Sequence, residues 1–152
     1  MAEIITISIG IGLAVSLLFS EILGVAAGGM VVPGYIAIYF HKPLQLIYTL
    51  AASYITYFIT KVLSTVMIIY GRRRTVLMIL IGFLLGWFIR YLGMIPAYKE
   101  WLDLTIIGYI IPGLIAIWMD RQGVIETAAT LITSSIIVRL FLILIFGKEI
   151  IK

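Results

Sequence analysis

Four cations lie where an apolar chain gives them little water. Lys61 and Arg139 sit well inside long hydrophobic runs, and Lys42 and Arg121 each close a short apolar segment. A charge in a membrane span is costly against lipid, so it faces a protein interior, a partner or a water-filled passage. Cations so placed can compensate an anionic cargo; the structural alternative is snorkelling to the headgroups, which suits Arg90 near the end of its run. Around them recurs one phrase. Val32-Pro33-Gly34-Tyr35-Ile36-Ala37-Ile38 returns 79 residues later as Ile111-Pro112-Gly113-Leu114-Ile115-Ala116-Ile117. Residues 29–41 and 108–120 share six identities in thirteen positions. A Pro-Gly interruption at matched places in two apolar halves is a sequence pointer to a binding site or passage in a membrane protein. Its alternative is a kink that helps helices pack, since Gly and Pro are common in membrane helices.

Other chemistries lack their residues. There are no cysteines and one histidine, His41, which argues against a protein-only zinc site and against disulfides. No Gly-x-x-x-x-Gly-Lys-Ser/Thr loop, Gly-x-Ser-x-Gly elbow or His-rich metal motif occurs, so no catalytic or metal-binding residue is assigned to this chain. Nothing points to nucleic acid. Glu21, closing the first run, is a possible polar site for a proton or cation. Glu126 suits the first turn of the last span, where a carboxylate meets the helix dipole. Asp120-Arg121-Gln122 reads as an internal ion pair or a ligand site.

The elements that must position these residues follow from composition. The 152 residues are 63% hydrophobic and 12% charged, with mean hydropathy +1.21. Soluble domains carry about 25% charged residues, so the solvent here is lipid and the fold class is an all-α integral membrane protein. A span needs about 20 apolar residues, which leaves room for four to six membrane segments. The run Ile4 to Phe19 lacks a basic region before it and reads as a retained first helix rather than a signal peptide. Spans are expected at 4–23, 44–69, 75–93 and 124–146, with short Pro-Gly-broken segments at 26–40 and 104–119 and an interfacial insert at Met94–Asp103. One membrane domain, 1–152, thus holds two copies of span, short segment, span: residues 4–70 and 75–146, joined at Gly71-Arg72-Arg73-Arg74. Lys61 falls opposite Arg139, and Gly12 opposite Gly82.

Topology turns on the short segments. If they dip in and return, there are four crossings, with both termini on the side of the arginine hinge, and the positive-inside rule makes that side cytoplasmic. If they cross, the loop cations divide four to four. Charge asymmetry slightly favours the first arrangement. The two copies can be related by inversion. Arg72, Arg73 and Arg74 also offer a docking patch to an acidic or phosphate-bearing partner.

Gly28-Gly-Met-Val-Val-Pro-Gly-Tyr35, Tyr70-Gly-Arg-Arg-Arg74, Ile107-Gly-Tyr-Ile-Ile-Pro-Gly-Leu-Ile-Ala116 and Arg121-Gln-Gly123, in this order and spacing, resemble the PgsC/CapC family, the small membrane subunit of bacterial poly-γ-glutamate synthase in capsule biosynthesis. One departure is Ile22, which follows Glu21 where the family often has a basic residue. The resemblance implies a multi-pass protein of the cell membrane that anchors a cytoplasmic-facing amide ligase. ATP and a divalent metal would belong to that partner, with no cofactor in this chain and no catalysis by it alone. A further membrane-anchored subunit would assist export of the glutamate polymer. Apart from the resemblance, a polyanion needs countercharge along any path through low dielectric, so Lys42, Lys61, Arg121 and Arg139 are expected to line the polymer's path, shaped by Pro33-Gly34 and Pro112-Gly113. The rival expectation is a small stand-alone secondary transporter for an organic anion.

Overall fold

A computed structural model describes residues 2–93 and 108–147; the insert Met94–Asp103 and the tail after Gly147 lie outside the described residues. The described chain is helical, with no strand. Its helices are α1 (Ala2–Leu23), α2 (Val32–Ile38), α3 (Pro43–Val66), α4 (Arg72–Gly93), α5 (Ile111–Gln122) and α6 (Val124–Phe146), and a 3-10 turn at Tyr39–His41 extends α2. Four of them, α1, α3, α4 and α6, are long and apolar enough to span a membrane. Their 22 to 24 residues rise about 33–36 Å. The seven residues of α2 and twelve of α5 rise only about 10 and 18 Å, short of a hydrocarbon core about 30 Å thick.

Local chemistry sets these boundaries. Pro33 and Pro112 stand in the first turns of α2 and α5 rather than mid-helix. There the missing N–H has no intrahelical partner to lose, and the ring pre-sets the helical φ. The Pro-Gly pair therefore starts a helix and does not break one. Immediately upstream, Gly29 (φ 120°) and Gly108 (φ 64°) take left-handed conformations that turn the chain into each short helix. Pro43 opens α3 in the same way.

The short helices lie inside. α2 packs between α1 and α6, and α5 between α4 and α3, so the last span of each half closes over the other half's short helix. Val32 and Ile36 of α2 meet Ile111, Ile115 and Met119 of α5 and Leu131 of α6 in one buried cluster. Close approach there has a specific cause. A Cβ on Gly12 would stand 2.7 Å from Gly34 Cα, and one on Gly82 would stand 2.6 Å from Gly113 Cα. Conversely, a Cβ on Gly34 or Gly113 would meet the backbone of Ser8 or of Met78 and Ile79 within 2.9 Å. Ser8 Oγ donates to the Gly34 carbonyl at 2.7 Å, joining α1 to α2. Small residues permit such contact between membrane helices.

The face α3 turns inward is polar but satisfied. Thr49, Ser53, Thr56 and Thr60 are buried, and each hydroxyl donates to the carbonyl four residues back at 2.7–2.8 Å. Hydroxyls spent this way leave no unpaired group in a dry interior. Outward faces carry exposed Leu17, Leu18, Leu84, Phe88 and Leu140, the surface expected against lipid.

Contacts also give direction. Arg74, at the start of α4, pairs with Asp120 at the end of α5, while Tyr109 lies beside Gly86 much further along α4. α5 therefore runs back toward the hinge. Ala26, just past α1, bonds Gln122 at the end of α5, so the C-terminal end of α1 shares the hinge end of the bundle. α2 and α6 advance together away from it, from Gly28 beside Leu131 to Ala37 bonded by Arg139. Of the two arrangements that the sequence leaves open, these contacts match the one slightly disfavoured by loop charge, in which the short segments do not return. The short segments carry the chain along the bundle, α1 and α4 run in opposite directions, and the described start and end of the chain lie opposite the hinge. The physical reason is that each short helix starts part-way down its neighbour, Gly34 beside Gly12 and Gly113 beside Gly82, and so covers only the remaining depth in a few turns.

Gly82→Val should place methyl groups inside the α5 backbone and lower stability by about 1–3 kcal/mol or prevent folding. Gly10→Ala, where a Cβ meets nothing within 4 Å, should be neutral or gain up to about 1 kcal/mol. Thermal unfolding of both variants in detergent micelles checks this contrast; equal midpoints would mean that the backbone contact does not matter.

Candidate functional site: the cationic hinge end

The segment from Met67 to Gly71 leaves α3, and α4 begins directly with Arg72, Arg73 and Arg74. Three cations in a first turn that holds no acid of its own oppose the helix dipole. One countercharge comes from α5. Asp120 Oδ1 accepts from Arg74 Nη2 at 2.5 Å, both side chains being about one quarter exposed. The pair is single, since Arg74 Nε is buried without a hydrogen-bond partner. Arg121, exposed beside it, stacks over the Trp118 ring at 5.4 Å.

Between α4 and α5 at this end lies a cavity of about 410 Å³, walled by Gly71, Arg72, Arg74, Thr75, Asp120 and Arg121 among others. Three guanidiniums against one carboxylate leave it cationic. Arginine's planar fork suits carboxylate and phosphate oxygens, so the chemistry on offer is anion binding. Among the described residues no three His, Asp or Glu side chains gather as a metal site requires.

Gln122 ties the chain after α1 to the end of α5. Its Oε1 accepts from Ala26 N–H at 3.0 Å and its Nε2 donates to the Ala26 carbonyl at 2.6 Å, so one amide completes both backbone valences of a non-helical residue. Thr130 Oγ1 adds a donor to the same carbonyl at 3.2 Å. Asp120, Arg121 and Gln122 thus part company, to Arg74, to Trp118 and to Ala26, rather than forming an ion pair among themselves.

The other expected site residues do not converge. Lys42 is exposed just past the 3-10 turn, at the end opposite the hinge. Lys61 is exposed on α3, its Nζ donating to Tyr57 Oη at 3.2 Å and lying 5.5 Å from that ring. Arg139 is partly buried; its Nη1 donates to the Ala37 carbonyl near the end of α2 at 3.1 Å, and its guanidinium lies over Phe40. Pro33, Gly34, Pro112 and Gly113 are buried, with both glycines against the backbones of α1 and α4. Glu21 is exposed in the last turn of α1. Among the described residues, Arg72, Arg74 and Arg121 of the expected set share the cationic cavity, and Arg72 and Arg73 line an apolar groove beside it. Ser8 and the hydroxyl stripe of α3 carry no expectation in the sequence, and Gln122 was expected only beside Asp120 and Arg121, not against Ala26. The spacing of Thr49, Ser53, Thr56 and Thr60 in an apolar run was the available signal.

The described residues form an all-helical bundle with a cationic cavity at one end, and four of its helices are long and apolar enough to cross a bilayer, as in an integral membrane protein. The chain belongs to the capsule biosynthesis CapC family, whose model matches residues 11–128. That stretch contains both glycine contacts, the hinge and the cavity. The chain is 38% identical over 130 residues to the PGA biosynthesis protein CapC of Bacillus subtilis (strain 168), covering 84% of this chain and 87% of that one. It is 37% identical over 130 residues to the capsule biosynthesis protein CapC of Bacillus anthracis, covering 85% and 87%. No solved structure matches it.

Gln122→Ala should leave the Ala26 N–H unpartnered and its carbonyl with only the long bond from Thr130, and cost about 1–3 kcal/mol, read as a lower unfolding midpoint in micelles. Gln122→Glu keeps the acceptor for Ala26 N–H but loses the donor, and should fall no closer to wild type than half-way.

Proposed function

We propose that this chain is the membrane subunit of a poly-γ-glutamate synthase and export complex in the cell membrane. It anchors an amide ligase at the hinge end and helps pass the anionic polymer across. The main support is the family membership, together with the PGA biosynthesis role that the Bacillus subtilis relative's name states. The chain offers no nucleotide-binding loop, so ATP and a divalent metal ion belong to the ligase. The hinge arginines meet that partner or the first carboxylates of the chain it makes.

The polymer path takes a more specific form with the side chains in place. Lys61 points outward from α3 more than a turn before its end, and its Nζ reaches back to Tyr57 rather than toward the hinge. A lysine so placed is expensive against lipid. A path using Lys61 and Lys42 therefore runs along an outer face, between this chain and a neighbouring subunit. Arg139, tied to Ala37, supports that wall from within.

The opposed directions of α1 and α4 favour a second function, a stand-alone secondary transporter for an organic anion with Glu21 as its proton site. Reconstitution separates the two. The chain copurified with its ligase should make polymer from ATP and glutamate, and the chain alone should not move labelled glutamate into liposomes. Uptake by the chain alone would refute the synthase-subunit proposal.

Reversing charge with Arg72→Glu and Arg73→Glu together should lower ligase recovery on copurification about tenfold or more, as like charges at an interface do. Lys61→Leu should leave assembly intact and reduce exported polymer; full export with this variant would remove Lys61 from the path.

A further inference from the structure

We propose that the hinge end holds one anionic phospholipid, its headgroup phosphate in the arginine cavity and its acyl chains in the apolar groove beside it. The groove, of about 530 Å³, lies between the end of α3 and the start of α4 and is lined by Leu63, Ile68, Val76 and Leu77, with Arg72 and Arg73 among its walls. Arg72 also walls the cationic cavity with Arg74 and Arg121. One guanidinium thus joins an oily trough to a charged recess, and the ligand that matches both is an amphiphile with an anionic head.

Three observations favour a lipid over a soluble anion. The segment between α3 and α4 is apolar yet exposed, Ile68 at 85% and Tyr70 at 77%, which suits the boundary between headgroups and acyl chains. Asp120 answers only one of the three cavity arginines, and it leaves Arg74 Nε unpartnered. Arg72 and Arg121 are exposed, able to close on a phosphate without moving a helix. Basic clusters flanking a membrane helix attract anionic headgroups, each cation contributing about fivefold in affinity. The site goes beyond the proposed synthase role and does not depend on it.

Native mass spectrometry of the full chain released from micelles tests the proposal with dioleoyl phosphatidylglycerol and dioleoyl phosphatidylcholine, which share acyl chains. The wild type should retain the first about tenfold more than the second. Arg72→Gln with Arg121→Gln should abolish that preference, and Arg72→Lys with Arg121→Lys should keep most of it. Leu77→Gln should weaken retention of phosphatidylglycerol from the groove side. Millimolar inorganic phosphate should not displace the lipid. Equal retention of the two lipids by the wild type, an undiminished preference in the double Gln variant, or displacement by free phosphate would each overturn it, the last by assigning the cavity to a soluble anion.

Discussion

At two places the backbone of a long helix rests on the backbone of a short one with no side chain between them. Gly12 meets Gly34, and Gly82 meets Gly113. Everything central in the bundle depends on that approach. It sinks α2 and α5 between the spans, brings Val32, Ile36, Ile111 and Ile115 into one cluster, and leaves α3 and α6 to cover the opposite half. Between membrane helices the hydrophobic effect gives no attraction, because lipid is as apolar as leucine; close packing and hydrogen bonds must do so. Here both are present, with Ser8 bonded to Gly34 at one of the contacts.

The same close fit decides where charge can go. With the interior filled by backbone contact and satisfied hydroxyls, the cations are pushed to ends and outer faces, and Arg139 enters only as far as the carbonyl of Ala37. The hinge end gathers Arg72, Arg73, Arg74 and Arg121. α4 begins with three arginines that its own dipole disfavours, and α5 returns Asp120 against one of them. The two ligands proposed for this end, an anionic polymer and a lipid headgroup, would meet it on the same terms, through oxygen anions and guanidinium donors.

Much of the fold could be read from the residues. The four long apolar runs, the hinge at Gly71–Arg74 and the shortness of the Pro-Gly segments were all legible, because hydropathy over about 20 residues is a strong signal. The pairing of Gly12 with Gly82 was visible only faintly, yet those two glycines take like contacts. Direction was not legible. Whether a short segment returns or continues depends on where along its neighbour it begins, and composition does not record that depth. Lys61 and Arg139 also looked alike by position and differ in kind, since one faces outward and the other caps a helix. Gln122 was hidden because its partner is the backbone of Ala26, 96 residues away, and a backbone partner leaves no sequence pattern.

The opposed course of α1 and α4 is the claim on which the account stands, and side-specific labelling tests it most directly. The chain has no cysteine of its own, so single Glu3→Cys and Arg73→Cys variants give clean reporters at the exposed start of α1 and at the hinge. A membrane-impermeant maleimide added to intact cells should label one of the two, with the other labelled only after permeabilisation. Labelling of both positions from the same side would contradict the account and return the short segments to a dip that begins and ends on one face.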